Sequence, residues 1–205
     1  MKKCLLGLVA AQLLTVGCRD GPRAGVDFPS PWPRPAFTLT GTDGTPVEFH
    51  EFTRGQPTLV LFGFASCPDV CPAHLASIAG AARQLPEADR QRLRVVFITA
   101  DPERDTPDRL ARWLRGFDSA FVGLSGDADA LAEAARAMLV AAPMRYQDSA
   151  GRIVVVHYER VLGISADDSV RVLIPAGIGV EPWARELKRL VRIRPRRRAA
   201  STGGR

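Results

Sequence analysis

The chain has 205 residues, 46% of them hydrophobic and 24% charged, which allows one buried core with a leader or a tail and argues against several domains. Its formal charge of +6 is unevenly placed: the end, RIRPRRRAASTGGR, carries six arginines and no acid, and setting these aside together with Lys2 and Lys3 leaves −2 for the remainder. The basic balance therefore belongs to a tail and excludes a nucleic-acid-binding face as its cause.

The chain opens MKKCLLGLVAAQLLTVGCRD, two lysines followed by an apolar run from Cys4 to Val16. That run is shorter than the roughly 20 residues a helix needs to cross a bilayer. A basic head, a short apolar stretch and small residues at a boundary read as an export signal over residues 1–17. LTVGC, with Gly17 before Cys18, resembles the lipobox of bacterial lipoproteins, in which that cysteine is acylated, although Thr15 stands where leucine is usual. The alternative is an ordinary signal peptide, or an uncleaved anchor, with Cys18 incidental. Residues 18–35 are rich in proline and glycine and read as a linker from the membrane. A folded domain is expected over 36–191. The tail 192–205 has no apolar periodicity and reads as disordered, either simply solvated or drawn to anionic headgroups.

Within the domain, FTLTGTDGTPVEFHEF alternates about Asp43-Gly44 and predicts an N-terminal β-hairpin. TLVLFGFA (58–65) is a continuous apolar run of strand length, as a central buried strand requires. A helix is predicted over about 72–85, then a second buried strand over 92–100. DPERDTP follows as a turn that opens another helix, with Thr106 as N-cap and Pro107 at its first position. A short strand over 121–126, a helix over 127–138, strands around 153–156, 161–164 and 170–174, and a last helix over 181–191 complete the order. Strands alternating with helices, then a run of strands, predict a three-layer α/β domain with a central mixed sheet flanked by helices.

Chemistry concentrates in FASCPDVCPAHL, where Cys67 and Cys71 lie four residues apart and His74 three further on. Cys4 and Cys18 belong to the leader region, so these two are the only thiols of the folded part. An exported protein with one close pair is not a disulfide-stapled scaffold. At positions i and i+4 of a helix the pair would stand about 6 Å apart, able to join as a disulfide or to converge on one soft metal ion. A strand-to-helix junction adds the positive end of the helix dipole, which favours thiolate. Structural zinc needs four ligands and fits less well, whereas Cu(I) is satisfied by two thiolates and an imidazole. Three histidines are available. His50 follows a hairpin strand and reads as a surface residue; His74 falls on the cysteines' face by helical spacing; His157, at the end of an apolar strand, could join them only through the fold.

TLVLFGFASCPDVCPAHL, VVFITADPERDTPDRL, FVGLSG and the distant His157 together resemble the SCO/SenC family, in register from about Pro35 to Leu190. The resemblance implies a membrane-tethered, thioredoxin-like protein of the bacterial cell envelope that faces the periplasm and takes part in copper delivery to cytochrome c oxidase. It places the copper-binding roles on Cys67, Cys71 and His157 rather than His74. The implied acceptor is the CuA centre of subunit II, with a periplasmic thiol reductant or copper donor as further partner. Three positions depart from the family pattern: Ser66 stands where a histidine is frequent, Val156 where an aspartate is common, and Tyr158 where serine or threonine is usual. Such neighbours orient ligands and tune affinity. Asp101 and Asp105 are candidates for supporting or loop-fixing acids, although a turn and helix cap explain much of DPERDTP.

Two functions follow. One is binding and transfer of Cu(I) or Cu(II). The other is thiol–disulfide exchange on a periplasmic partner, with one cysteine attacking and the other resolving. The three-residue spacer departs from the C-x-x-C of typical oxidoreductases, and a peroxidase-like use of the same fold has no supporting residues.

Overall fold

A computed structural model describes residues 22–194; the signal segment, Cys18 and residues 195–205 of the basic tail lie outside the described residues. The chain joins the sheet earlier than its prolines suggest. Residues Val26–Pro33, read as linker, form β1 and pair antiparallel at the sheet edge, so the sheet begins before residue 36. An edge strand tolerates prolines because its outward amides need no partner. Next come the hairpin β2 (Thr38–Gly41) and β3 (Pro46–Glu48), α1 (Phe49–Thr53), β4 (Thr58–Gly63), α2 (Val70–Ala82), α3 (Glu87–Arg92) and β5 (Arg94–Thr99). The second half comprises α4 (Pro107–Arg115), β6 (Val122–Ser125), α5 (Ala128–Ala137), β7 (Met144–Gln147), β8 (Ile153–Val156), β9 (Val161–Ser165), β10 (Ser169–Ile174) and α6 (Val180–Arg192).

The main sheet runs β1-β10-β9-β4-β5-β6-β2-β3, with β4, β5 and β6 parallel and the other pairs antiparallel. β4 is buried throughout, and apolar after Thr58, because both its faces are covered. Leu59 and Leu61 pack into one apolar layer with Leu75 and Ile78 of α2, Leu110 of α4 and Trp183 and Leu187 of α6. Val60 and Phe62 pack into the other with Phe49 of α1, Leu131 and Ala134 of α5. This is the expected three-layer arrangement. The hairpin turn lies where Asp43-Gly44 puts it, with Gly44 at φ +82°, a conformation that favours glycine. α1 and α3, five and six residues long, leave no usable helical period in the sequence. β7 has four exposed residues and no alternating pattern, and with β8 it makes a separate two-stranded sheet.

Arg34, just beyond β1, is buried and crosses from the edge of the sheet to its centre. Its guanidinium donates to Asp168 Oδ1 (2.7 Å), Thr53 Oγ1 (2.8 Å), Thr58 Oγ1 (3.0 Å), the Gln56 carbonyl (2.8 Å) and the Ser165 carbonyl (3.1 Å). Burial pulls its pKa down and the Asp168 carboxylate opposes that pull, so the charge is held by its partners.

Candidate metal centre

The parallel strands β4 and β5 end beside each other, and the loop leaving β4 carries the first cysteine. Cys67 is not on a helix: it lies in the turn after β4, its N–H donating to the Phe64 carbonyl at 3.0 Å. α2 begins at Val70, so Cys71 occupies its first turn and Pro72 follows where the helix needs no amide partner. The Cys71 N–H points at Cys67 Sγ at 3.5 Å, so the two sulfurs approach through the cap of the helix instead of along one helical face.

This geometry decides between the histidines. His74 turns toward α6, 3% exposed, its ring edge-on to Trp183 at 6.2 Å. Its Nε2 is buried without a partner, and burial lowers its pKa, which keeps the ring neutral. His157, directly after β8, instead reaches the thiols: Nε2 lies 3.8 Å from Cys71 Sγ. The ligand atoms of Cys67, Cys71 and His157 all fall within 4.8 Å of one another. His50 stays at the surface, 3.3 Å from Glu51; the Glu48 oxygens beside it are committed to the amides that open α1, and Glu51 also pairs with Arg54.

The His157 ring is oriented from two sides. Nδ1 lies 3.3 Å from the Tyr158 carbonyl, which can only accept, so Nδ1 carries the proton and Nε2 presents its lone pair to Cys71. The Phe64 ring meets the imidazole edge-on at 5.5 Å. Val156, one of the three departing positions, is exposed and takes no part in this orientation. Ser66 accepts from Arg109 at 2.6 Å. Asp105 fixes the start of the cysteine loop: its Oδ2 accepts from the Ala65 N–H (2.9 Å) and the Thr99 hydroxyl (2.7 Å). Asp101 is likewise buried, paired with Arg104 and Arg145.

Burial pushes the Cys71 thiol pKa well up, and a backbone hydrogen bond from Phe64 opposes this without cancelling it. The thiolate bias expected from the helix N-terminus is therefore outweighed at Cys71, which stays protonated near neutral pH and can donate its proton toward His157 Nε2. A cation entering between the three donors takes the place of that proton. The site opens to solvent through a shallow cleft walled by Phe64, Pro68, Val70 and Val156, so incoming groups reach Cys67 and His157 before Cys71.

One residue of the site gave only a weak signal in the sequence. Gly63 ends β4 directly beneath Cys71: a Cβ there would lie 2.6 Å from Cys71 Sγ and 2.8 Å from the Phe97 ring. A glycine inside a buried strand marks such a close approach. Gly63→Ala is expected to cost about 1–3 kcal/mol of stability through overpacking, measured by chemical denaturation. An unchanged denaturation midpoint would show that the thiol does not rest on this strand.

The family model described as SCO1/SenC matches residues 32–192. The chain belongs to the SCO1/SenC family. Its relatives include a Stutzerimonas stutzeri protein named as a candidate copper-binding protein, 32% identical over 142 residues, 69% of each chain. Among solved structures, apo Sco1 from Thermus thermophilus is 31% identical with a TM-score of 0.68, covering 83% of this chain and 94% of that one. Bradyrhizobium japonicum ScoI, solved with copper bound, is 30% identical with a TM-score of 0.64, covering 76% and 97%. Against mitochondrial SCO2 proteins the match spans about a third of the relative's own length (31% in yeast, 33% in cattle). The thioredoxin-like fold implied by the motifs is thus the fold of this SCO1/SenC domain. No helix among the described residues is long and apolar enough to cross a membrane.

Proposed function

We propose that this SCO1/SenC protein binds copper through Cys67, Cys71 and His157 and delivers it to the CuA centre of cytochrome c oxidase subunit II during assembly. The observation that carries this reading is the convergence of two thiols and one imidazole, from a loop, a helix start and a separate hairpin, within 4.8 Å. Soft thiolates with one imidazole suit Cu(I). Structural zinc would need a fourth ligand, and among the described residues no further Cys, His, Asp or Glu joins the group. The copper bound by the Bradyrhizobium relative supports the same choice.

Each ligand has a separate role. Cys71, buried and protonated until metal arrives, holds the ion from the protein side; half-buried Cys67 and His157 face the cleft, where acceptor ligands can replace them one at a time. The pair must be reduced before it can bind, which calls for a periplasmic thiol reductant beside the copper donor. An export signal over residues 1–17 and acylation at Cys18 would hold the domain at the membrane, facing the periplasm.

In the thiol–disulfide reading only Cys67 could attack, because a buried thiol with a raised pKa is a poor nucleophile. Mixing the reduced, Cu(I)-loaded full chain with the metal-free copper domain of subunit II separates the two functions. Copper is expected to leave the chain and appear on the acceptor, followed by chromatographic separation and metal analysis. Retention of copper by the loaded chain, with the copper-free dithiol instead reducing an oxidised subunit II pair as Cys67 and Cys71 become a disulfide, would establish the exchange function.

A further inference from the structure

We infer that Arg145 is a positioning residue for copper binding, latching the β7–β8 hairpin to the loop after β5 so that His157 stands against the two thiols. This rests on the proposal that His157 is a copper ligand.

His157 follows directly on a hairpin whose strands have little else to hold them, although the next residue, Tyr158, packs against the second apolar layer. β7 and β8 pair only with each other, and none of their strand residues belongs to either apolar layer. A two-stranded hairpin by itself is marginal in water. Its register is Met144 opposite Val156, Arg145 opposite Val155 and Tyr146 opposite Val154. Side chains alternate along each strand, so Met144, Tyr146, Val154 and Val156 share one face and Arg145 and Val155 the other. Met144 and Tyr146 are 60% and 52% exposed on the first face; on the second, Gln147 and Ile153 are exposed too, so it is the ionic contacts of Arg145 that tie this face to the body of the protein.

Arg145 makes two ionic contacts from that face. Its Nε lies 3.2 Å from Asp101 Oδ1 and its Nη2 lies 2.9 Å from Glu103 Oε2. Asp101 is fully buried; Arg104 occupies its Oδ2, and Oδ1 has no aligned hydrogen-bond donor, so Arg145 supplies the charge that compensates it. Apolar packing holds the flanks of the hairpin, where Val140 and Tyr158 meet the second layer, but not its strands, and a cleft lined by Ala100, Pro102, Leu131 and Pro143 lies at its root. The same Asp101 holds Arg104 over the Phe64 ring, 5.9 Å from its centre, and Phe64 borders His157. One buried carboxylate thus anchors both the hairpin that carries the histidine and the ring that flanks it. Because Arg145 sits opposite Val155, two residues before His157, fixing Arg145 fixes the strand end from which the imidazole projects.

The test is a double-mutant cycle on the full chain, read as Cu(I) affinity against a competing chelator. Arg145→Met, which keeps the stem and removes the charge, is expected to weaken binding by up to about tenfold, the low end of the roughly 10–100-fold lost with a group bonded directly to a ligand, because Arg145 acts through the hairpin. Arg145→Lys restores part of that loss. In a His157→Ala background the same Arg145→Met change has an effect below roughly twofold, because the residue it positions is gone. An equal loss in both backgrounds would make Arg145 a general structural contact and overturn the inference. So would full affinity in Arg145→Met when His157→Ala alone has lost it. If His157→Ala binds copper as tightly as the wild type, the ligand set itself is wrong, and the latch falls with it.

Discussion

His157→Ala is expected to abolish tight Cu(I) binding, whereas His74→Ala should leave it intact and lose stability. The two histidines compete on paper because His74 lies within the cysteine motif and His157 does not. The structure separates them by what their nitrogens face. His157 Nε2 points at Cys71 Sγ with Nδ1 turned to a carbonyl, a ring oriented for coordination. His74 Nε2 is buried without a partner against Trp183. Loss of a ligand should exceed the cost of losing a supporting partner, so His157→Ala is expected to weaken Cu(I) binding on the order of 100-fold or more. His74→Ala opens space beneath α6 but also relieves an orphaned nitrogen, for a net loss of about 1–3 kcal/mol. His74→Leu, apolar and similar in size, should be nearly neutral in both measurements. A Cu(I) titration against a chelator, paired with thermal melts, reads all three variants; copper binding lost in His74→Ala and kept in His157→Ala would reverse the assignment. The same titration carries a pH signature. The raised Cys71 pKa keeps that thiol protonated between pH 6 and 8, and binding must displace its proton. Affinity should therefore climb with pH, by about tenfold per unit for this one proton.

Much of the scaffold was legible because its signals are local. β4 and β5 announce themselves as apolar runs, since a strand covered on both faces has no polar side to show. Pro107 at the start of α4 and Gly44 in the hairpin turn are backbone constraints that survive any tertiary context. The errors arise where a local sign has two meanings. Prolines in Val26–Pro33 mark a linker or an edge strand, and only the pairing with β10 shows which. Four-residue spacing of cysteines suggests one helical face, but Cys67 stays in the turn and only Cys71 enters α2, which removes His74 from their company. The third member of the site was not readable from spacing at all. His157 arrives through the closure of the sheet and the attachment of a small hairpin, and it was named from family resemblance. Arg145 left no trace, because a salt bridge to a buried acid in another loop has no sequence period.

The largest stability loss is expected at Arg34, far from the thiols. A linker residue would tolerate substitution; this one is a buried cation bound to four separated parts of the fold. Its donors reach the end of α1 at Thr53, the loop carbonyl of Gln56, the first residue of β4 at Thr58, and the β9–β10 turn at Ser165 and Asp168. Asp168 also accepts from the Gly55 N–H at 2.9 Å, so the carboxylate that balances the charge is itself tied to the α1–β4 loop. Arg34→Ala leaves these acceptors without their donor in a place water does not readily fill. Asp168 is 36% exposed and can be rehydrated, so the loss falls toward the lower end of the roughly 3–5 kcal/mol that breaking a buried charged network costs, still a large share of the roughly 5–15 kcal/mol that holds a domain together. The midpoint of thermal unfolding should fall by roughly 6–20 °C. Arg34→Lys should recover little, because one ammonium cannot span acceptors that a planar fork reaches on several sides. Copper loading measured well below the unfolding temperature should be unchanged, because Thr58 and Gly63 mark opposite ends of β4, roughly 16 Å apart. A cycle with Asp168→Asn, which keeps an acceptor for the Gly55 N–H and suits the positive φ of 59° at this position, assigns the loss to the pair: once Arg34 is gone, removing the Asp168 charge should cost little more. A midpoint within a few degrees of wild type in Arg34→Ala would mean that the acceptors find water, and that the segment before residue 36 contributes nothing essential to the fold.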